Sequence, residues 1–156
     1  MQPPEIPITE EGLAEVKREL EELVTKRRPY IVSKIRSARE HGDLSENFEY
    51  HAARNEQAFV ESRIRELEAI VKNHILIASR ASNGTVDLLS TVTFAEEGEP
   101  EERYRIVGPA EADPTSGKIS FESAIGKAMM GRRAGDEVEV RAPGGGRYTI
   151  RILKIE

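Results

Sequence analysis

The stretch Arg39-Glu40-His41-Gly42-Asp43-Leu44-Ser45-Glu46-Asn47 decides the fold, because it sets a short polar turn between two long helical patterns. Upstream, Leu13, Val16, Leu20 and Leu23, then Ile31, Ile35 and Ala38, recur largely at steps of three and four, the spacing of one helix face. Downstream, Ala53, Gln57, Val60, Ile64, Leu67, Val71 and His74 repeat the pattern. Two such stripes joined by a short turn can bury their apolar faces against each other, which gives an antiparallel helical hairpin. Residues 1–78 are therefore read as a long antiparallel coiled coil with its tip near 41–47. An arm of about thirty residues at ~1.5 Å per residue is roughly 45 Å long. Pro29 falls inside the first stripe, where a proline costs ~3 kcal/mol and kinks the helix.

The texture changes after Ala78. Residues 79–84, Ser79-Arg80-Ala81-Ser82-Asn83-Gly84, read as a linker, and 85–156 as a second domain. Strand-like runs cover 86–94, 103–107, 118–121, 137–140 and 148–155, with glycine-rich turns between them, including Gly144-Gly145-Gly146. A short helix fits 123–130, capped by Ser123 and stopped by Gly131. The fold class is α+β: a helical hairpin followed by a mainly antiparallel sheet with one short helix.

Composition narrows the function. The 156 residues carry Lys+Arg 23 against Asp+Glu 28, a formal charge of -5. That balance speaks against a protein that coats nucleic acid through a general basic footprint, and it leaves room for a local basic patch. Cysteine is absent, so disulfides and thiolate metal sites are excluded. The first residues show neither a basic n-region nor an apolar h-region, and the expected compartment is the cytoplasm, with no membrane partner. Aromatic residues are 5%, too few for one large core and compatible with a rod joined to a small sheet domain. His41, His51 and His74 form no His-Glu-x-x-His motif, and neither Gly117-Lys118 nor Gly126-Lys127 completes a phosphate-binding loop.

What remains is the tip. Asp43 and Glu46, three residues apart, can be read as an N-cap and its N3 acid at the start of the second helix. They can equally be read as two oxygen ligands for Mg²⁺, a hard cation that takes one or two carboxylates and keeps several waters. Two carboxylates alone are too few for a two-metal phosphoryl-transfer site, so under the second reading another protein supplies the rest. Arg39 and Arg54 flank the tip and suit phosphate oxygens, or else are ordinary solvated surface charge.

The run Ala38-Arg39-Glu40-His41-Gly42-Asp43-Leu44-Ser45-Glu46-Asn47-Phe48-Glu49-Tyr50-His51-Ala52-Ala53-Arg54 resembles the signature of the GreA/GreB family of bacterial transcript cleavage factors, nearest its GreA branch. Arg27-Arg28-Pro29, Arg63-Ile64, Tyr104-Arg105-Ile106-Val107-Gly108, Glu111-Ala112-Asp113 and Lys118-Ile119-Ser120 extend the resemblance in order along nearly the whole chain. It implies an N-terminal coiled coil and a C-terminal FKBP-like domain that docks on bacterial RNA polymerase. It further implies that the coil enters the polymerase secondary channel, where Asp43 and Glu46 assist the enzyme's own Mg²⁺-dependent hydrolysis of backtracked RNA. On this reading Arg39 and Arg54 contact the nascent RNA 3′ end and Ser123 lies in the docking region. The expectation is a monomer that binds no cofactor by itself, shares Mg²⁺ with the polymerase, and is no enzyme in its own right. The alternative is a channel-binding paralogue that regulates the polymerase without stimulating cleavage. Three departures from the family pattern stand out: Phe48 at a usually small position, Ser123-Ala124 in place of Ser-Pro, and no glycine step in Leu88-Leu89-Ser90-Thr91-Val92.

Overall fold

The computed structural model describes residues 3–40, 42 and 47–156. The chain forms two compact units, one built on Glu11–His74 and the other combining Glu5–Glu10 with Ile75–Glu156. The second unit thus contains the strand β1 (Ile6–Ile8), which falls within the 1–78 span that the sequence assigns to the hairpin, and its main part begins at Ile75, upstream of the expected linker.

The first arm of the hairpin is α1 (Glu10–Glu22), a wide π-helical turn at Leu23–Arg27, and α2 (Arg28–Arg39). In the wide turn the Arg28 N–H bonds to the Leu23 carbonyl five residues back. Pro29 sits in the first turn of α2, where its missing N–H costs least, and the wide turn just before it absorbs the mismatch. The backbone therefore stays helical through the proline. The second arm is α3 (Phe48–Asn73). Ile31 and Ile35 pack with Ala53, Val60 and Ile64, flanked by Leu20, Leu23, Val24 and Tyr50. Leu13, Val16, Leu67 and Ile70 are also buried; Ile70 takes the inward place that the spacing assigned to Val71.

Ion pairs between the arms give the direction. Glu19 meets Arg63 through a two-pronged contact at 2.8 and 2.9 Å, and Arg28 meets Glu61 at the same two distances. Further along, Lys34 reaches Glu56 at 3.1 Å. As the first arm advances from 19 to 34, its partner retreats from 63 to 56, so the arms are antiparallel. Exposed pairs of this kind add at most ~1 kcal/mol each. Their value lies in fixing which residues face each other across an apolar seam.

In the second unit, β1 pairs with β2 (His74–Leu76), and the Ile77 N–H continues the contact to the Ile8 carbonyl at 2.9 Å. The main sheet contains β3 (Thr91–Glu96), β4 (Glu102–Val107), β5 (Lys118–Ser120), β6 (Glu137–Arg141) and β7 (Arg147–Ile155) in the order β5-β4-β3-β7-β6. All neighbours are antiparallel except β4 and β5, which are parallel, so the sheet is mixed. Alternate residues, among them Val92, Phe94, Val138, Val140, Ile150 and Ile152, face a core that also holds Met129 of α4 (Ala124–Met129).

Sequence reading begins the first strand at Val86, but β3 starts only at Thr91. Asp87 and Ser90 close a turn in which the Leu88 N–H donates to the Asp87 carboxylate at 2.8 Å and the Ser90 N–H to the Asp87 carbonyl at 3.0 Å. Leu89 pays for this turn with a left-handed backbone, φ 70°, a cost of roughly 1–2 kcal/mol for a non-glycine residue. Its buried side chain returns ~1.5–3 kcal/mol.

Candidate functional site

Asp43 and Glu46, the two acids expected to act at the tip, lie outside the described residues, as does His41. The residues on either side are described, and they close the hairpin. Asn47, with φ -88° and ψ 97°, is the N-cap of α3. Its side-chain oxygen accepts from the Tyr50 N–H at 3.0 Å, and its amide nitrogen donates to the Ala38 carbonyl at 2.7 Å. One side chain therefore caps the second arm and satisfies a carbonyl at the end of the first. The N-cap of α3 is thus an amide, which can accept at one end and donate at the other, as a carboxylate cannot; the capping reading of Asp43 and Glu46 lies outside the described residues.

Arg39 and Arg54, named from opposite arms, do come together. Both line an open groove of about 460 Å³ between α2 and α3, together with Val32, Ile35, Arg36, Glu40 and Gln57. The Arg39 guanidinium lies 5.8 Å from the centre of the Tyr50 ring, within cation–π range. Arg54 donates to the Gln57 side-chain oxygen at 3.0 Å. Each guanidinium is thus oriented by a neutral partner. Tyr50 meets His51 edge-on at 5.5 Å, and Phe48 is 88% exposed beside the tip.

Asn47, Tyr50 and Arg36 are not singled out by sequence reading, and Gln57 is read there only as a position on the helix stripe, not as a groove residue. The signal for Asn47 was present, since asparagine is among the best N-caps, but the acidic pair ahead of it competed for the same role. Ser123 is described and its hydroxyl is occupied: it donates to the Ser120 carbonyl at 2.6 Å and accepts from the Gly126 N–H at 3.1 Å. Its local role is to start α4. Among the described residues no three His, Cys, Asp or Glu side chains gather as a metal site, and no helix is long and apolar enough to cross a membrane.

Two family profiles cover the chain: "Transcription elongation factor, N-terminal" over residues 6–75 and "Transcription elongation factor, GreA/GreB, C-term" over 81–156. Transcription elongation factor GreA of Macrococcus caseolyticus is 49% identical over 152 residues, spanning 97% of this chain and 96% of the relative. The GreA of Staphylococcus aureus strain JH9 is 47% identical over 151 residues, spanning 96% of each. Among solved structures, GreA factor homolog 1 (Gfh1) of Thermus thermophilus is 28% identical over 98% of this chain and 99% of that one, with a TM-score of 0.46.

Proposed function

Because the chain belongs to the GreA/GreB family of transcription elongation factors, we propose that it enters the secondary channel of bacterial RNA polymerase and stimulates cleavage of the backtracked RNA 3′ end. The observation that carries this reading is the convergence of Arg39 and Arg54 in one groove, beside the connection whose sequence holds Asp43 and Glu46. A guanidinium from each arm can grip the phosphates of an extruded RNA segment, and the two carboxylates follow within a few residues of Arg39. The chain's own residues then have separate tasks. Arg39 and Arg54 hold the RNA backbone; Asp43 and Glu46 offer oxygen ligands and can orient an attacking water. Mg²⁺ bound in the polymerase would activate that water and stabilise charge on the phosphodiester, which is why two acids suffice here. The hydrolytic site belongs to the polymerase and is completed by the tip.

The direct experiment incubates purified RNA polymerase complexes, arrested in a backtracked register, with Mg²⁺ and this protein. Short 3′ fragments should appear, and Asp43→Asn or Glu46→Gln should slow their release by roughly 10–100-fold, the range seen when support of a metal site is lost. Slowed nucleotide addition without fragment release would refute the proposal and identify a channel-binding regulator instead. Cleavage of free RNA without polymerase would refute it in the other direction.

A further inference from the structure

The hairpin carries four Phe or Tyr rings, Tyr30, Phe48, Tyr50 and Phe59, and three of them are engaged or remote from the tip. Arg27 and Lys34 stand over Tyr30 at 5.5 and 5.4 Å, and Arg39 stands over Tyr50 at 5.8 Å. Phe59 is open to solvent but lies eleven residues along α3 from Phe48, roughly 16 Å further from the tip at the helical rise per residue. Phe48 is almost wholly exposed, and its ring meets no other ring and no cation among the described residues. It is the first residue of α3, directly after the cap Asn47 and two places after Glu46 in the sequence. Helical side chains lean toward the N-terminal end of their helix, so this ring is carried toward the tip and not back along the rod. A single exposed apolar side chain is ordinary; its place is what sets this one apart.

We infer that Phe48 is a stacking platform for one base of the RNA being cleaved, that of the first nucleotide on the 3′ side of the scissile phosphate. The inference rests on the cleavage reading proposed above. Under that reading the arginines take phosphates and the acids take the metal and its water, and neither group recognises a base. An unpaired base is flat and neutral, and an exposed aromatic face is the contact that suits it, since every base has a π-face to offer. Arg54 comes six residues after Phe48, about 9 Å further from the tip and about 120° around the helix. The ring is therefore not another wall of the groove; it stands beyond it, at the end where the acids follow in sequence. A stacked base deprives its nucleotide of rotational freedom and so holds the adjoining phosphodiester in one place. Phe48 positions the strand and takes no part in bond making. Overlap grows with the size of the base, so the effect is largest for a purine, smaller for a pyrimidine and absent where the base is missing.

The test compares wild type, Phe48→Ala, Phe48→Leu and Phe48→Tyr on polymerase complexes backtracked to one register, whose RNA carries a purine, a pyrimidine or an abasic unit at that nucleotide. Each cleavage rate, at saturating factor, is divided by the rate of polymerase alone on the same RNA. The ring is exposed, so none of these changes empties a core. Phe48→Ala should slow stimulated cleavage roughly tenfold on the purine RNA, the weight of one lost base stack, by less on the pyrimidine RNA, and not at all on the abasic RNA. Phe48→Tyr should keep the wild-type rates. Phe48→Leu should fall with Phe48→Ala, because leucine keeps apolar bulk and lacks the face. Full activity of Phe48→Leu would place the side chain against an apolar wall of the polymerase; equal loss on all three RNAs would mark a role in docking; no loss in Phe48→Ala would mean the ring is idle. Each of these results overturns the inference and leaves the cleavage reading intact. Failure of wild type to stimulate cleavage on any of the three RNAs overturns both.

Discussion

Replacing Asn47 separates the two jobs that close the hairpin. Asn47→Ala removes the cap acceptor for the Tyr50 N–H, worth about 0.5–2 kcal/mol, and the donor to the Ala38 carbonyl, a partly buried bond worth about 0.5–1.5 kcal/mol. The combined cost to the tip end of the hairpin is about 2 kcal/mol, or roughly thirtyfold in the local opening equilibrium. Asn47→Asp keeps the acceptor, gains from the positive end of the α3 macrodipole, and loses only the donor. Its expected cost is about 1 kcal/mol, the single bond to Ala38. The suitable assay is amide hydrogen exchange at His51, whose N–H bonds to the Asn47 backbone carbonyl at 3.1 Å. That bond is chemically untouched by either change, so its exchange reports fraying of the first turn of α3. Asn47→Ala should accelerate it by roughly thirtyfold and Asn47→Asp by several-fold less. Equal rates for the two variants would show that the cap contributes nothing; a wild-type rate in both would refute the whole account of how the tip is closed.

Two further perturbations test other parts of the molecule. Arg28, through its hydrogen bonds and charge, holds the Glu61 carboxyl below its ordinary value; a depressed carboxylate stabilises the fold above its unfolded pKa and loses that contribution as pH falls through the folded one. Arg28→Ala should therefore move the Glu61 titration, followed by carboxyl NMR, back up, and should flatten the acid-side loss of hairpin stability; an unmoved Glu61 titration counts against the pair. Gly108 has an ordinary backbone, but a Cβ there would sit 2.2 Å from the Pro7 carbonyl oxygen. Gly108→Ala should push β1 off the second unit, exposing the fully buried Ile8 at a cost of about 1.5–3 kcal/mol and unprotecting the Ile77 amide; retained protection at Ile77 would show that β1 can shift without detaching.

The hairpin was legible because its signal is local: inward residues three and four apart define both arms without knowledge of anything distant. The strands of the sheet were legible for the same reason, at period two. Features that depend on remote partners were not. A three-residue strand such as Ile6-Pro7-Ile8 has no period to detect, and it is fixed by Gly108 and Glu111, a hundred residues away in the chain; Thr9 hydrogen-bonds Glu111 just past its end. The parallel pairing of β4 with β5 leaves no mark in either strand, because alternation records which face is buried and not which way a neighbour runs. Leu88-Leu89 looks like strand because both are apolar, and only the Asp87–Ser90 hydrogen bonds reveal a turn. Near the tip, Arg39 and Arg54 stand out in the sequence as residues flanking the turn, but their grouping with Arg36 needs the two arms in register.

The same register changes what the net charge of -5 means. Along the first arm the charges are segregated: Glu10–Glu22 carries six acids and two bases, whereas Lys26–Arg39 carries six bases and no acid. Averaged over the chain, this cancels and predicts indifference to nucleic acid. Screening over roughly 8 Å at physiological salt prevents such averaging, since charges half an arm apart do not sense each other in solvent. The relevant quantity is the charge left within one screening length after the facing arm has taken its share. Glu56 and Glu61 on α3 pair with Arg27, Arg28 and Lys34, two negative charges against three positive, and the arginines without a carboxylate partner among the described residues lie toward the tip, in the groove. An acidic protein can in this way present a compact cationic groove at one end of a rod. The acidic remainder disfavours general binding to nucleic acid elsewhere, which suits the proposed function, in which RNA is engaged at the tip end alone.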